Sequence, residues 1–432
     1  MAQNSLKKIL IISYFFPPCN LTASGRTYSW AKWLHKYGYY PVIVSRKWER
    51  KLESLKDVSI PSSEGVLHEK FDTYEVYYLP YKGNLRDKIY RKHGEDGYTK
   101  LRQTLTFFEL IFQFFSNKAI PYRNIYTFSK KLLEKEKFEH LIISGNPFNL
   151  FKFGFLLNKK FKIPWTADYR DAWSTSEITD NSSSILKKLI HKLDVVFENK
   201  WVSTANSVTA SSKPIGESIE KMTGVKSFPV FNGIEFEDFD VVKETSKLNY
   251  FSIAYIGTLY DGQKIEIFCE AFKKFIDLNP DIKTKLLFPG LAFFGDQESR
   301  VSSIMKGYEN YLECSDRIPR EEILTLEKRV HLLLHVAWKG YKGIIASKIY
   351  EYIASGTKII VAPSDEGAIE EIVKSSECGV VLNKEDEIVD FLMLEYTKFK
   401  NGEISCNDIT HSNIQQFSRQ KQVESLVHSV LS

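Results

Sequence analysis

Cysteine is scarce in this chain, and the little there is lies scattered. The five cysteines, at 19, 269, 314, 378 and 406, form no CxxC pair and have no histidine cluster beside them. That argues against a zinc site or a disulfide framework and fits a reducing compartment. No apolar run reaches the roughly eighteen residues a membrane-spanning helix needs. The opening Met1-Ala-Gln-Asn-Ser-Leu-Lys-Lys8 passes straight into Ile9-Leu10-Ile11-Ile12 with no leader-like stretch or cleavage site, so a cytoplasmic protein is expected. Nor does one sign of charge dominate: 59 basic residues are mixed with 54 acidic ones, net +5, with no basic arm for nucleic acid. A GxGxxG fingerprint is also missing. The loop after the first apolar run reads Pro17-Pro18-Cys-Asn-Leu-Thr-Ala-Ser24-Gly25-Arg26, and no acidic residue closes the next run, which disfavours a nicotinamide dehydrogenase.

What is present is length and alternation. At 432 residues and 43% hydrophobic the chain can bury two substantial cores. Lys8 to Ser13 reads as a buried strand, Arg26 to Tyr37 as a helix and Pro41 to Ser45 as a second strand. His140 to Ser144 and Ile163 to Ala167 repeat the strand punctuation. The pattern restarts with a strand from Phe251 to Ile256, a helix from Lys264 to Leu278, and strands at Lys285 to Phe288, His331 to Val336 and Lys358 to Ala362. A hinge is expected between about 227 and 248, where Pro229 and Asn232-Gly233 interrupt the alternation. Two Rossmann-like domains of an α/β protein, facing a cleft, explain this layout, with ligands at the carboxyl ends of the strands.

The segment from Tyr341 to Pro363 carries the sharpest chemistry. A Gly-containing loop leads into a helix beginning near Ser347 and ending at Gly356, and a β-rich run follows. Lys348 and Glu351, three apart, share a face at the helix start, where free amides favour an anion. They can hold a phosphate and a sugar hydroxyl; the plainer reading is a helical ion pair. Gly257-Thr258-Leu-Tyr-Asp-Gly-Gln-Lys264 follows the first strand of the second half. Phe231-Asn-Gly-Ile-Glu-Phe-Glu-Asp-Phe239 precedes that strand.

Ser347, Lys348, Glu351, Tyr352, Ala354 and Gly356 match the form Ser-Lys-x-x-Glu-Tyr-x-Ala-x-Gly. With that segment, the whole chain resembles the GT4-type family of GT-B glycosyltransferases. The segment from Phe231 resembles the family's linker. The resemblance implies a retaining, metal-independent, hexosyltransferase-like enzyme that needs no cofactor and moves a sugar from a nucleotide-diphosphate donor to a glycan or lipid-linked acceptor in surface polysaccharide biosynthesis. Residues 1–228 become the acceptor domain and 229–412 the donor domain, with 413–432 crossing back to the first as a helix. Glu351 is assigned the donor ribose. Lys264 and Lys348 are assigned catalysis by stabilising the departing diphosphate, and Gly257, Thr258, Ser347, Gly25 and Arg26 complete the donor contacts. The family's second glutamate, eight positions before Glu351, is replaced by Gly343, and its arginine after the glycine by Thr258. Arg317 or Arg320 is a candidate to compensate.

Asp168-Tyr-Arg170-Asp171-Ala-Trp173 resembles an Asp-x-Arg-Asp-x-Trp signature of bacterial members, which places Asp168, Arg170, Asp171 and Trp173, with Asn146, at the acceptor. Without the resemblance the same charges read as a structural salt bridge. Asp238-Phe-Asp240 is formally a DxD, but it lies in the hinge and reads as a solvated pair, so no metal is expected. Arg86, Lys88, Arg91 and Lys92 precede an aromatic helix from Leu101 to Phe115. Residues 86–115 therefore read either as a monotopic contact with the inner face of the cell membrane or as core packing. Two other functions stay open: a nucleotide-sugar epimerase or hydrolase of the same fold, and a catalytically weakened nucleotide- or glycan-binding partner.

Overall fold

The structure, a computed structural model, describes residues 6–52, 55–94, 96–176, 185–239, 242, 246–292, 295–403 and 406–432. Asp240 of the DxD lies outside them. The chain divides into two compact units, Met1–Asn232 with Gln422–Ser432, and Gly233–Lys421.

The first unit is built on strands β1 (Lys7–Ser13), β2 (Tyr39–Arg46), β3 (Leu67–Lys70), β4 (Glu75–Leu79), β5 (His140–Ser144), β6 (Trp165–Tyr169), β7 (Ser207–Ala210) and β8 (Ser227–Pro229). Their order is β3-β4-β2-β1-β5-β6-β7-β8, all parallel except the antiparallel edge pair β3 and β4. Its helices are α1 (Thr22–Trp33), α2 (Leu85–His93), α3 (Thr99–Phe115), α4 (Arg123–Lys135), α5 (Leu150–Phe161), α6 (Ile185–Val202) and α7 (Lys213–Thr223). Ile9, Leu10, Ile11 and Ile12 of β1 are all fully buried, because a central parallel strand is covered on both faces and so alternates nothing.

The second unit has β9 (Phe251–Ala254), β10 (Thr284–Pro289), β11 (Leu312–Ser315), β12 (Leu332–His335), β13 (Lys358–Val361) and β14 (Gly379–Val381), ordered β11-β10-β9-β12-β13-β14 and wholly parallel. Around it lie α8 (Ile265–Asp277), α9 (Gly295–Ile304), α10 (Arg320–Arg329), α11 (Lys348–Ser355), α12 (Ala368–Ser376), α13 (Glu385–Lys400) and α14 (Ser412–Gln415), while α15 (Arg419–Leu426) belongs from Gln422 onward to the first unit. In α8, Ile265, Phe268, Cys269, Phe272, Phe275 and Ile276 form one buried stripe at helical spacing. The strand order reverses between β1 and β5 and between β9 and β12, the places where such sheets receive ligands.

Two expected elements differ. Helix α1 starts at Thr22, not Arg26, because Ala23, Arg26, Thr27 and Trp30 already form its buried face. Gly25 and Arg26 therefore sit inside the helix, not on a loop. The expected helix over 414–431 breaks between α14 and α15. There the Phe417 carbonyl accepts the Ile234 amide at 3.0 Å, and the Arg419 amide donates to the Ile234 carbonyl at 3.0 Å. These two bonds take residues 417–419 out of the helical ladder. Beyond them Val423, Leu426 and Val427 join the first unit's core with Ile9, Ile11 and Trp30.

Candidate functional site

At the β9/β12 reversal of the second unit, Gly257 follows β9 with φ +88° and nothing within 4 Å of where a Cβ would stand. The left-handed backbone, not lack of space, calls for glycine there. The loop that follows is fastened by Gln263, a buried residue the sequence reading passed over. Its Nε2 donates to the Val336 carbonyl beyond β12, and its Oε1 accepts the Tyr260 amide at 3.0 Å. Tyr255 adds a hydroxyl bond to the Thr258 carbonyl at 2.8 Å. Lys264 stands exposed at the N-cap of α8. Thr258, half-buried, thus offers its backbone to the loop's own anchoring.

Helix α11 enters beside this loop. Ile349, Tyr350, Tyr352, Ile353 and Ala354 bury its inner side, and the Tyr352 hydroxyl accepts the Ile256 amide at 2.9 Å, which pins the helix to the end of β9. Gly356 ends it with φ +72°. Ser347 occupies the N-cap without a side-chain capping bond. The Lys348 ammonium is shut off from solvent, has no hydrogen-bond partner, and lies 3.7 Å from the centroid of the Tyr255 ring. Burial lowers its pKa to about 7, with the Glu351 carboxylate pulling weakly the other way. His335 at the end of β12 is pushed down to about 3, by burial first and by Lys348 second, so its ring is neutral. A lone buried ammonium at a helix start costs stability unless an anion joins it.

Glu351 does not pair with Lys348. Its Oε1 accepts from Arg320 Nη1 at 2.8 Å, and Arg320 Nη2 reaches Asp238 at 3.3 Å. Arg320, one of the two compensating arginines named from sequence, is thus bound to the glutamate. Asp238 of the DxD is its second partner. Beneath them Glu327 of α10 is fully buried with neither carboxylate oxygen hydrogen-bonded, and burial followed by the nearby Glu351 raises its pKa well above the usual carboxylate range. A carboxylate inside a helix otherwise rich in exposed charge gave no sign of this in the sequence.

The replaced glutamate position, Gly343, lies in a turn whose neighbour Lys342 accepts the Ala368 amide at 2.8 Å. A Cβ on Gly367 would meet that Lys342 carbonyl at 2.4 Å, so the loop and the start of α12 are held at glycine distance. Asp365 caps α12 by accepting the amides of Gly367, Ile369 and Glu370.

In the first unit, Arg26, expected among the donor contacts, is engaged by Asp168. Its Nη2 meets Asp168 Oδ1 at 2.6 Å, its Nε lies 3.1 and 3.2 Å from the two Asp168 oxygens, and its Nη1 donates to the Val230 carbonyl at 2.6 Å. Asp168 also accepts from Ser144 at 2.9 Å and Thr209 at 2.7 Å and is wholly buried. It anchors the end of β6 as a buried ion pair, the structural salt bridge that these charges also allowed from sequence. A carboxylate at the end of a fully covered strand must find a cation, and α1 supplies it. Arg170 and Asp171 pair with each other at 3.1 Å, with Asp171 exposed. Trp173 stacks on Phe148 at 5.3 Å, and Asp194 of α6, bonded to Trp173, has its pKa raised to about 7 by burial. Asn146 is exposed just past β5.

Two cavities stand apart from these residues. One of about 490 Å³ in the first unit lies against the carboxyl ends of β1, β4 and β5 and is walled by Tyr14, Tyr81, Tyr90, Tyr122, Arg86 and Glu109. Behind Tyr14 and Tyr81 is Arg46, buried, 3.8 Å from the Tyr81 ring and hydrogen-bonded to the Val58 and Ile60 carbonyls. A larger one of about 630 Å³ in the second unit runs between β11 and α10, and none of the expected donor residues lines it. Volume alone would choose the larger; the unpaired cation and the strand reversal lie elsewhere and mark the site better.

No protein-family model and no curated protein sequence matches the chain. Solved structures do. Sucrose-phosphate synthase from Thermosynechococcus elongatus aligns with TM-score 0.55 at 14% identity, covering 97% of this chain and 94% of its own. A trehalose-6-phosphate protein from E. coli bound with UDP-2-fluoro glucose gives 0.61 at 11%, covering 98% of both. Anabaena HepE in complex with UDP gives 0.57 at 11%, covering 99% and 100%. With two parallel Rossmann-like sheets aligned over nearly its full length to such structures, this chain has the GT-B fold.

Proposed function

We propose that the protein is a GT4-type, hexosyltransferase-like glycosyltransferase that works in the cytoplasm with retention of configuration and without a metal. It moves a sugar from a nucleotide-diphosphate sugar to a glycan or lipid-linked saccharide in surface polysaccharide biosynthesis. The observation that carries this reading is the unpaired, solvent-free Lys348 ammonium at the start of α11, beside the open glycine loop of a Rossmann-type reversal. None of the described side chains hydrogen-bonds to that ammonium, and the oxygens of a departing nucleotide diphosphate suit it. Lys264 adds a second positive charge at the start of α8. The acceptor hydroxyl bonds to the anomeric carbon as the carbon–oxygen bond to the diphosphate breaks; the leaving diphosphate takes the hydroxyl proton. Glu351, steadied through one oxygen by Arg320, receives the ribose hydroxyls. The 490 Å³ cavity of the first unit, with tyrosine faces and both signs of charge, suits a saccharide acceptor.

A thermal-shift screen of nucleotide sugars tests the reading, since a ligand that binds only the folded form raises Tm by mass action. Glu351→Ala is expected to abolish most of the shift given by the best donor while leaving the unliganded Tm within about 2 °C. An undiminished shift removes Glu351 from the ribose. Free sugar released at the same rate with and without acceptor would identify a hydrolase instead.

The titration of Lys348 gives this reading a pH signature. The free ammonium titrates near 7, and a bound diphosphate raises that value. Binding therefore takes up protons above pH 7, and affinity falls as pH rises, by at most about tenfold per unit, until the pKa of the complex is passed. Calorimetry at pH 8 in two buffers of different ionisation heat reads the uptake directly. Affinity flat from pH 6.5 to 9 without proton uptake contradicts the assignment.

A further inference from the structure

Helices α3 and α6 of the first unit form one surface that nothing in the reading above uses. They pack on each other through Phe114 stacked on Phe197 at 4.8 Å and Phe115 against Phe197 at 5.4 Å. Beside and beyond that seam both expose large apolar side chains. On α3 these are Leu101, Phe108, Phe112 and Phe115, the last three 50%, 56% and 67% exposed. Their spacing puts them on one helical face. On α6, Ile185 is 84% exposed, with Leu186, Leu189 and Val196 beside it. The inner side of α3, through Arg102, Glu109, Leu110 and Gln113, walls the 490 Å³ cavity. One helix therefore separates a polar pocket from an apolar outer face.

The charges around the face are of one sign. Lys100 on α3 and Lys187, Lys188, Lys192 and Lys200 on α6 are exposed. The acids of both helices are withdrawn: Glu109 is held by Asn84 and half-buried, Asp194 is half-buried against Trp173, and Glu198 is fully buried, accepting from Tyr169 and the Ser174 amide at 2.9 Å each. A monomer rarely leaves so many large apolar side chains together in water. A second copy of this chain fits poorly, because a two-fold contact would oppose the same lysines across a shared apolar seam. Among the described residues no helix is long and apolar enough to cross a membrane, so what remains is contact from one side.

We propose that the α3–α6 face docks on an anionic lipid bilayer, its phenylalanines and α6 aliphatics entering the interface and its lysines meeting acidic headgroups. Sequence pointed only to residues 86–115; α6 supplies four of the eight exposed apolar side chains named and four of the five lysines. Docking stands independently of glycosyl transfer, and it sets the cavity behind α3 beside the bilayer surface.

Flotation of the full-length protein with vesicles tests it, using phosphatidylcholine alone and phosphatidylcholine with about 30% phosphatidylglycerol. Partition onto the anionic vesicles is expected, at least about tenfold above the neutral ones and lost in about 0.5 M salt. The pairs Phe108→Ser/Phe112→Ser and Ile185→Ser/Leu186→Ser are each expected to lower partition by about tenfold or more, and Lys187→Glu/Lys188→Glu to remove the preference for anionic lipid. No flotation with anionic vesicles overturns the proposal. So does partition unchanged in both apolar pairs, or a concentration-dependent dimer that Phe112→Ser dissolves. The donor-induced thermal shift, read on the same variants, is expected to persist, which separates loss of docking from loss of the donor site.

Discussion

Lys348→Met is expected to lower kcat/KM by about 10²- to 10³-fold, the usual cost of losing a preorganised charge in a solvent-excluded site, while making the unliganded protein more stable. The two effects have one cause. In the free protein the ammonium is buried, without a hydrogen bond among the described residues, over the Tyr255 ring and with weak support from the Glu351 carboxylate. Its pKa lies below the value of an unfolded lysine, so the unfolded chain binds more protons between about pH 7 and 10.5. Lys348 therefore penalises folding below pH 7, and that penalty is relieved as pH rises toward 10.5. Methionine fills a similar volume without the charge, and a gain of roughly 1–3 kcal/mol at pH 7 is expected. Denaturation curves of the two proteins at pH 6 and 9 measure it, and the gain should be larger at pH 6. A variant that loses activity and stability together would mean Lys348 has a structural partner and stores nothing for a ligand.

Asp168→Ala is expected to destabilise by about 3–5 kcal/mol, the largest single effect on folding foreseen here. Removing this carboxylate leaves the Arg26 guanidinium buried with the Val230 carbonyl, the more distant Asn232 side chain and the face of Trp30, and no counter-charge among these. Ser144 and Thr209 lose an acceptor as well. The double change Arg26→Met/Asp168→Leu should recover much of the loss, because the cost lies in the orphaned charge more than in the missing attraction. Urea midpoints of the single and double variants separate the two terms. A single variant within about 1 kcal/mol of the parent refutes the anchor.

The strands were the readable part of this sequence. His140 to Ser144 is a strand with those bounds, and the two βαβ starts fall where apolar runs end in glycine or proline. A covered parallel strand must be apolar throughout, so its signal is continuous and local. The start of α11 was equally plain, since Ser347, Lys348 and Gly356 mark both ends of one short helix. Side-chain partners across the chain were not. Arg26 reads as a helix-start cation because Asp168, which claims it, is 142 residues away. A carboxylate at the end of Trp165-Thr-Ala-Asp168 was the available hint, for burying a charge without a partner is costly. Lys348 and Glu351 share a face as their spacing requires, yet Arg320 from another helix takes the glutamate. Whether the phenylalanines of α3 are buried depends on what packs there, and α2 and α6, each lying across part of the helix, decide it.

Gln263 has a consequence for how the loop between β9 and α8 can change. One amide, fixed at its nitrogen to the far side of the strand reversal and at its oxygen to the loop's own backbone, sets the loop's height above the sheet together with Leu259, which is buried in the second unit's core. Gly262 cannot take a side chain, because a Cβ there would meet the Trp338 ring at 2.4 Å. Change in this loop is therefore steered to Thr258, Tyr260 and Asp261, whose side chains reach solvent while the mooring stays in place.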